Sequence, residues 1–162
     1  MKGCKVLLII SCGKKKNPKL TKQKMKVSEA YTGPMFQVIS KAKREGRWYN
    51  NIFLGIISAK YGFLRDSDII GNYDLRMSEE LAEQHNPDVI SRIIKWHHKE
   101  NFDYIYALMG KIYLKTLEGL EDSINTIVKI ENMGGLGLGQ RKLVRFLEKL
   151  SERPEKLLGI IN

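Results

Sequence analysis

The sequence predicts a single α/β domain over residues 1–162, with a mainly parallel sheet, helices on both faces and a glycine-rich hairpin near the C-terminus. Three observations carry this. Four short apolar runs, Cys4–Ser11, Asn51–Ser58, Phe102–Met109 and Ile124–Ile130, have the length and continuity of buried strands. Amphipathic segments at helical spacing separate them, which is the alternation expected of parallel strands joined by crossovers. Two of the runs also end alike, in Ser11-Cys12-Gly13-Lys14 and in Ser58-Ala59-Lys60-Tyr61-Gly62.

Taken in order, the first strand leads into a loop over Cys12–Val27. The loop holds Lys14, Lys15, Lys16, Lys19, Lys22, Lys24 and Lys26 and no acid. It is too polar for a core and too long for a plain connection, so it reads as mobile or functional. A turn over Ser28–Pro34 precedes a helix from Pro34 to Arg44, with proline acceptable at its first position. After the second strand, Arg65–Asn72 reads as a polar excursion. Ser78, followed by Glu79 and Glu80, starts a helix. Asn86-Pro87-Asp88 should interrupt it and restart a second helix that runs to about Glu100. Gly110 opens a helix after the third strand. Beyond the fourth strand, Glu131–Gly139 reads as the glycine hairpin and Gln140–Leu150 as a final amphipathic helix, with a short tail from Pro154.

Composition narrows the function. With 43% hydrophobic residues the chain has material for a core. No apolar run approaches the length of a membrane span, and the N-terminus lacks the pattern of a signal peptide. Cys4 and Cys12 would lie about 26 Å apart along an extended chain, too far to bridge, and read as reduced thiols of a cytoplasmic protein. The formal net charge is +10, and it is uneven. Residues 1–50 hold 13 basic and 2 acidic side chains, a surplus of 11, while the remainder is close to neutral. Such asymmetry points to a polyanionic partner, nucleic acid before a membrane surface and DNA before RNA, or to a nucleotide-like ligand. The spacing of the cysteines with His85, His97 and His98 builds no zinc site. No metal and no cofactor is expected.

The candidate site follows from topology, because ligands of open α/β sheets bind beyond the carboxyl ends of the strands. Lys14 and Lys60 are the candidates to hold phosphate or do acid–base work, with Ser11 and Ser58 to orient. Cys12, Gly13, Gly33, Gly62 and Gly110 offer close backbone approach, and Tyr31, Tyr61, Tyr73 and Tyr113 offer rings for a base. Cys12 is either a packing residue or a nucleophile whose thiolate Lys14 would favour. Lys15, Lys16, Lys19, Lys22 and Lys24 would attract a nucleic-acid backbone. So would Gly135, Gly137, Gly139, Arg141 and Lys142, as a hairpin aiming amides and cations at phosphate. Asp66, Asp68 and Asp74 are all open as a carboxylate for the site.

Taken together, Ser11-Cys12-Gly13-Lys14, Tyr31-Thr32-Gly33, the stretch from Ser58 through Tyr61-Gly62 to Leu64, Tyr73, and Gly110 with Tyr113 resemble the YaaA-like superfamily of peroxide-stress proteins and shorter domains of unknown function. The resemblance implies an α/β fold with a basic cleft, a link to nucleic acid through DNA binding and oxidative damage, and, through the shorter members, base modification. Two functions are therefore expected to compete. One is an enzyme acting on a nucleobase or its glycosidic bond, and the other is a non-catalytic DNA-binding protein.

Overall fold

The computed structural model describes residues 3–152. Along the chain it forms β1 (Val6–Ser11), a 3-10 turn at Pro18–Thr21, β2 (Met25–Lys26), α1 (Val27–Ala30), α2 (Pro34–Arg44), β3 (Ile52–Ser58), β4 (Gly62–Arg65) and β5 (Ile69–Ile70). There follow α3 (Glu79–Glu100), β6 (Tyr104–Met109), α4 (Lys111–Leu114), a second 3-10 turn at Lys115–Leu117, α5 (Leu120–Ser123), β7 (Ile127–Asn132) and α6 (Leu136–Glu152).

Five strands make one sheet in the order β4-β3-β1-β6-β7. β1 lies at its centre, parallel to both neighbours, with Leu8 opposite Leu54 on one side and Tyr106 on the other. β7 continues the parallel set, and β4 turns back antiparallel to β3 at the opposite edge. Because side chains alternate along a strand, β1 feeds two cores. Val6, Leu8 and Ile10 pack with Phe36 and Ile39 of α2 and Leu143 and Phe146 of α6. Leu7 and Ile9 pack on the other face with Val89, Ile93 and Trp96 of α3. The mainly parallel sheet between two helical layers is thus as the apolar runs predicted. Among the described residues no helix is long and apolar enough to cross a membrane.

Two expectations fail and a third is narrowed, each for a local reason. Asn86-Pro87-Asp88 does not divide a helix, since α3 runs unbroken through Pro87. Pro87 removes only the bond to the carbonyl of Glu83, which lies on the exposed side. The buried stripe Ala82, Val89, Ile93 and Trp96 spans the proline, so packing holds both halves on one axis. Ser78 does cap the helix, accepting from the Leu81 amide at 3.1 Å.

The glycine hairpin is also absent. The glycine-leucine run enters α6 directly, with Gly137 and Gly139 inside it, and the amide of Gly139 donates to Gly135. Gly139 is there for packing, because a Cβ on it would stand 2.1 Å from Cγ of Met133. Arg141 and Lys142 are therefore beyond the first helical turn and offer no amide-plus-cation phosphate cradle.

The lysine loop, lastly, is anchored. Its residue Lys16 bridges Tyr31, the Asn17 amide donates to Ala30 and the Thr32 amide to Lys15. Leu20 enters the core, and β2 pairs antiparallel with β5, within the stretch read as a polar excursion. The tail from Pro154 lies outside the described residues.

Replacing Pro87 by alanine restores one helical hydrogen bond within α3. The expected outcome is an unchanged fold, stabilised by about 1 kcal/mol, measured by urea denaturation. A loss of stability would mean that the proline is needed to shape the helix.

Candidate functional site at the strand ends

The loops after β1, β3 and β6 meet at the carboxyl edge of the sheet. β1 connects to β3 on one side, and the chain then crosses to β6 on the other, so the strand order reverses at β1/β6. A crevice at such a reversal is where open α/β sheets place ligands. Cys12 follows β1, its amide still donating to Ile57 of β3 at 2.8 Å. Its sulfur lies 3.4 Å from the hydroxyl of Tyr113, on α4 after β6. That contact spans the reversal.

A second group of hydroxyls joins β3 to the lysine loop. Ser58 ends β3 fully buried, and its oxygen accepts the amides of Lys60 and Tyr61, each at 3.2 Å. Its own proton is thereby directed to the Tyr73 hydroxyl, 2.8 Å away. The Tyr73 hydroxyl in turn lies 2.6 Å from that of Tyr31. Tyr31 is buried and stacked on Phe36. Tyr61 meets the Tyr73 ring edge-on at 5.6 Å and accepts the Gly71 amide. The ammonium of Lys16 lies 4.3 Å from the centre of the Tyr73 ring and donates to the Tyr73 carbonyl. That of Lys60 lies 5.3 Å from the centre of the Tyr61 ring.

The turn that carries Lys60 depends on Gly62, whose φ of +73° favours glycine. His85 of α3 supports it through an imidazole nitrogen 2.7 Å from the Ala59 carbonyl. Gly13 has no comparable requirement, because a Cβ on it would make ordinary contact with Gly33 at 3.8 Å. Gly33 and Gly110 stand immediately before α2 and α4.

Burial dominates the electrostatics. It pushes the Tyr31 hydroxyl up to about 12, with the neighbouring Cys12 adding to the rise and the bond to Tyr73 opposing it. Burial, reinforced by Cys12, also raises Tyr73 and Tyr113 well above the ordinary tyrosine range, and Arg76 draws Tyr113 back. All three are thus protonated hydrogen-bond donors at neutral pH, not bases. Both cysteines are free thiols. Among the described residues no cluster of three histidine, cysteine or carboxylate side chains is arranged to hold a metal.

Of the residues singled out in the sequence, Cys12, Tyr31, Ser58, Tyr61, Tyr73 and Tyr113 are brought together, with Lys16 and Lys60 beside them. Lys14 and Lys15 are exposed on the same sheet edge, just after β1, and Ser11 is half-buried at its end. Lys19, Lys22 and Lys24 are exposed further out on the loop. Gly135, Gly137, Gly139, Arg141 and Lys142 belong to α6 and the turn before it. Lys142 is taken by Glu131, 3.6 Å away, and by the Asn132 carbonyl. Asp66 and Asp68 are structural: their carbonyls hold Ser28 and Val27, and the Asp68 carboxylate binds Arg65. Arg76 and His85 were missed. Each lies in a segment whose local pattern points elsewhere, and only folding brings it to the site.

Two grooves lie apart from this cluster. One of about 880 Å3 runs between α2 and α6, and another of about 380 Å3 lies beside Trp96. A third, of about 540 Å3, reaches the cluster at Tyr31 and is lined also by Thr32, Ser40 and Arg44. None of the three is lined by Cys12, Ser58 or Tyr73, so the chemistry is assigned to the strand ends rather than to the larger space.

The sequence model of a family of unknown function (DUF6884) matches residues 7–148, which takes in every strand of the sheet but the first residue of β1. The chain belongs to this family. An uncharacterized protein of Bacillus subtilis (strain 168), YfjM, is 29% identical over 154 residues, covering 91% of this chain and 99% of that protein. The crystal structure of AF0587, a protein of unknown function, superposes with a TM-score of 0.55 at 15% identity. That match covers 92% of this chain and 45% of the other, a likeness of fold alone. These findings overturn the resemblance to the YaaA-like superfamily, and the link to oxidative damage and base modification that it implied falls with it. The short patterns behind it, a strand ending in serine, a small residue and lysine, rest on a few residues each and do not identify a lineage.

Because the folded hydroxyls hold their protons above the value of an unfolded tyrosine, this part of the stability is complete below pH 10 and is lost as pH rises through about 12. In a spectrophotometric titration, Tyr31, Tyr73, Tyr104, Tyr106 and Tyr113 should ionise above the range of an unfolded tyrosine. Ionisation of these five in the folded state within the ordinary tyrosine range would contradict the buried network.

Proposed function

We propose that this protein binds nucleic acid without altering it and takes one nucleotide unit, or a nucleotide-like ligand, at the strand ends. The observation that carries the reading is the chain of hydroxyls from Ser58 through Tyr73 to Tyr31, set beside the Cys12–Tyr113 contact at the β1/β6 reversal. Hydroxyls that both donate and accept suit the mixed edge of a base. The rings of Tyr61, Tyr73 and Tyr113 give it apolar surface. Lys14, Lys15 and Lys60 on the same edge suit a phosphate, and the lysines of the loop add diffuse attraction.

Action on a nucleobase or its glycosidic bond would draw on the same residues, with Lys14 or Lys60 for proton transfer and Ser11 to orient. The protonated tyrosines favour binding over that reading. They donate but do not abstract, and among the described residues no carboxylate hydrogen-bonds into the cluster. Asp74, next in the chain to Tyr73, is exposed.

Binding of nucleic acid should weaken steeply as salt rises, measured by fluorescence anisotropy at two salt concentrations. Affinity indifferent to salt would count against it. Lys60→Ala should leave the fold intact and weaken mononucleotide binding about tenfold or more. Replacing Lys22 and Lys24 should only lower nucleic-acid affinity and its salt slope. Cys12→Ser should keep binding, since serine can still meet the Tyr113 hydroxyl. Loss of binding in that variant would give the thiol a direct role.

A further inference from the structure

The basic surplus of residues 1–50 is divided in space. Seven lysines lie on the loop near the carboxyl edge of the sheet, but Lys41, Lys43, Arg44 and Arg47 lie in the last turns of α2 and just beyond it. That end of α2 leads into the start of β3, so this second group belongs to the opposite edge. There it faces α6. The groove of about 880 Å3 between the two helices carries Lys41 and Arg47 on one wall and Arg141 and Arg145 on the other. Glu148 is the one acid among its lining residues, and Glu45 beside it pairs with Lys41 and Arg47. Arg141 and Arg145 have no ion pair among the described residues, unlike Lys142 on the same helix.

We infer that this groove is a second nucleic-acid surface, one that seats the phosphate backbone of duplex DNA. Arg141 and Arg145 are one helical turn apart, a rise of about 6 Å, close to the rise of two nucleotides on one strand of a duplex, about 6.8 Å. Single strands are held by aromatic side chains that stack their bases, and the groove is lined by none. A duplex keeps its bases inside and asks only for cations along its backbone. The groove thus reads no sequence. It holds the polymer, while the strand ends take a single unit. The assignment stands on its own geometry and does not require the strand-end reading.

The test compares three forms of the full chain, each checked for folding by circular dichroism: wild type, Arg141→Gln/Arg145→Gln, and Lys95→Gln/Lys99→Gln. The last removes the same charge from α3, on the other face of the sheet. The probes are a short fluorescent DNA duplex, one of its strands alone, and a nucleoside monophosphate. The arginine pair should lower duplex affinity at least tenfold and reduce the salt slope by about 2. It should leave monophosphate binding unchanged. The lysine pair should change duplex affinity less than twofold. Arg141→Lys/Arg145→Lys should recover most of the affinity. The inference is overturned if the arginine pair binds duplex like wild type, if the lysine pair loses as much, or if the single strand binds more tightly than the duplex. Failure of all forms to bind monophosphate would remove the strand-end reading and leave the groove untouched.

Discussion

Parallel pairing on both sides of β1 is the constraint from which the rest follows. A strand with parallel neighbours on each side, buried on both faces, has no surface left for function except at its ends. Right-handed crossovers then bring the loops after β1, β3 and β6 to one edge. Cys12, Ser58 and Tyr113 are far apart in the chain, yet each sits at the last residue of, or within four residues beyond, a strand that contacts β1 or is β1. Their meeting is a property of the sheet, and it would survive changes in helix sequence that kept the two cores filled.

The direction of the hydrogen bonds is set just as locally. Two backbone amides occupy the Ser58 oxygen, so its proton can serve only another acceptor, and Tyr73 takes that position. The bridge between Lys16 and Tyr31 pins the lysine loop so that Tyr31 arrives from the far side. What reads in sequence as a long, charged, structureless loop is a clamp, held by Leu20 and Val27 in the core and by backbone bonds to Asp66 and Asp68.

The strands and α2 were legible because their signal is local: continuous apolar residues, or proline at a helix start. β4 was hidden because its four residues follow the end of β3 after only Ala59, Lys60 and Tyr61, and the antiparallel turn rests on one positive φ at Gly62. Pro87 and the glycines of α6 misled for a shared reason. Their intrinsic preferences oppose a helix, and tertiary packing of Val89 and Ile93, or of Leu143 and Phe146, outweighs them. At the site, the strand-end residues could be named but not their bonds. Nothing in the sequence joins Ser58 to Tyr73 or Cys12 to Tyr113, and the role of His85 needs the distance to Ala59. The charge count, for its part, merges two groups of cations into one number, the lysines of the loop before α2 and those at the far end of α2.

The hydroxyls of Ser58, Tyr73 and Tyr31 have a parity. Three oxygens carry three protons, and only two bonds link them. The amides of Lys60 and Tyr61 already fill the serine oxygen, so no proton can return to it. Whichever way the Tyr31–Tyr73 bond points, one phenolic proton is left over. Burial keeps both phenols from ionising near neutral pH, so the surplus persists. The cluster therefore always has one donor to spare. A carbonyl, a ring nitrogen or an oxyanion arriving there takes that proton, while the phenolic oxygens keep lone pairs that can accept an N–H.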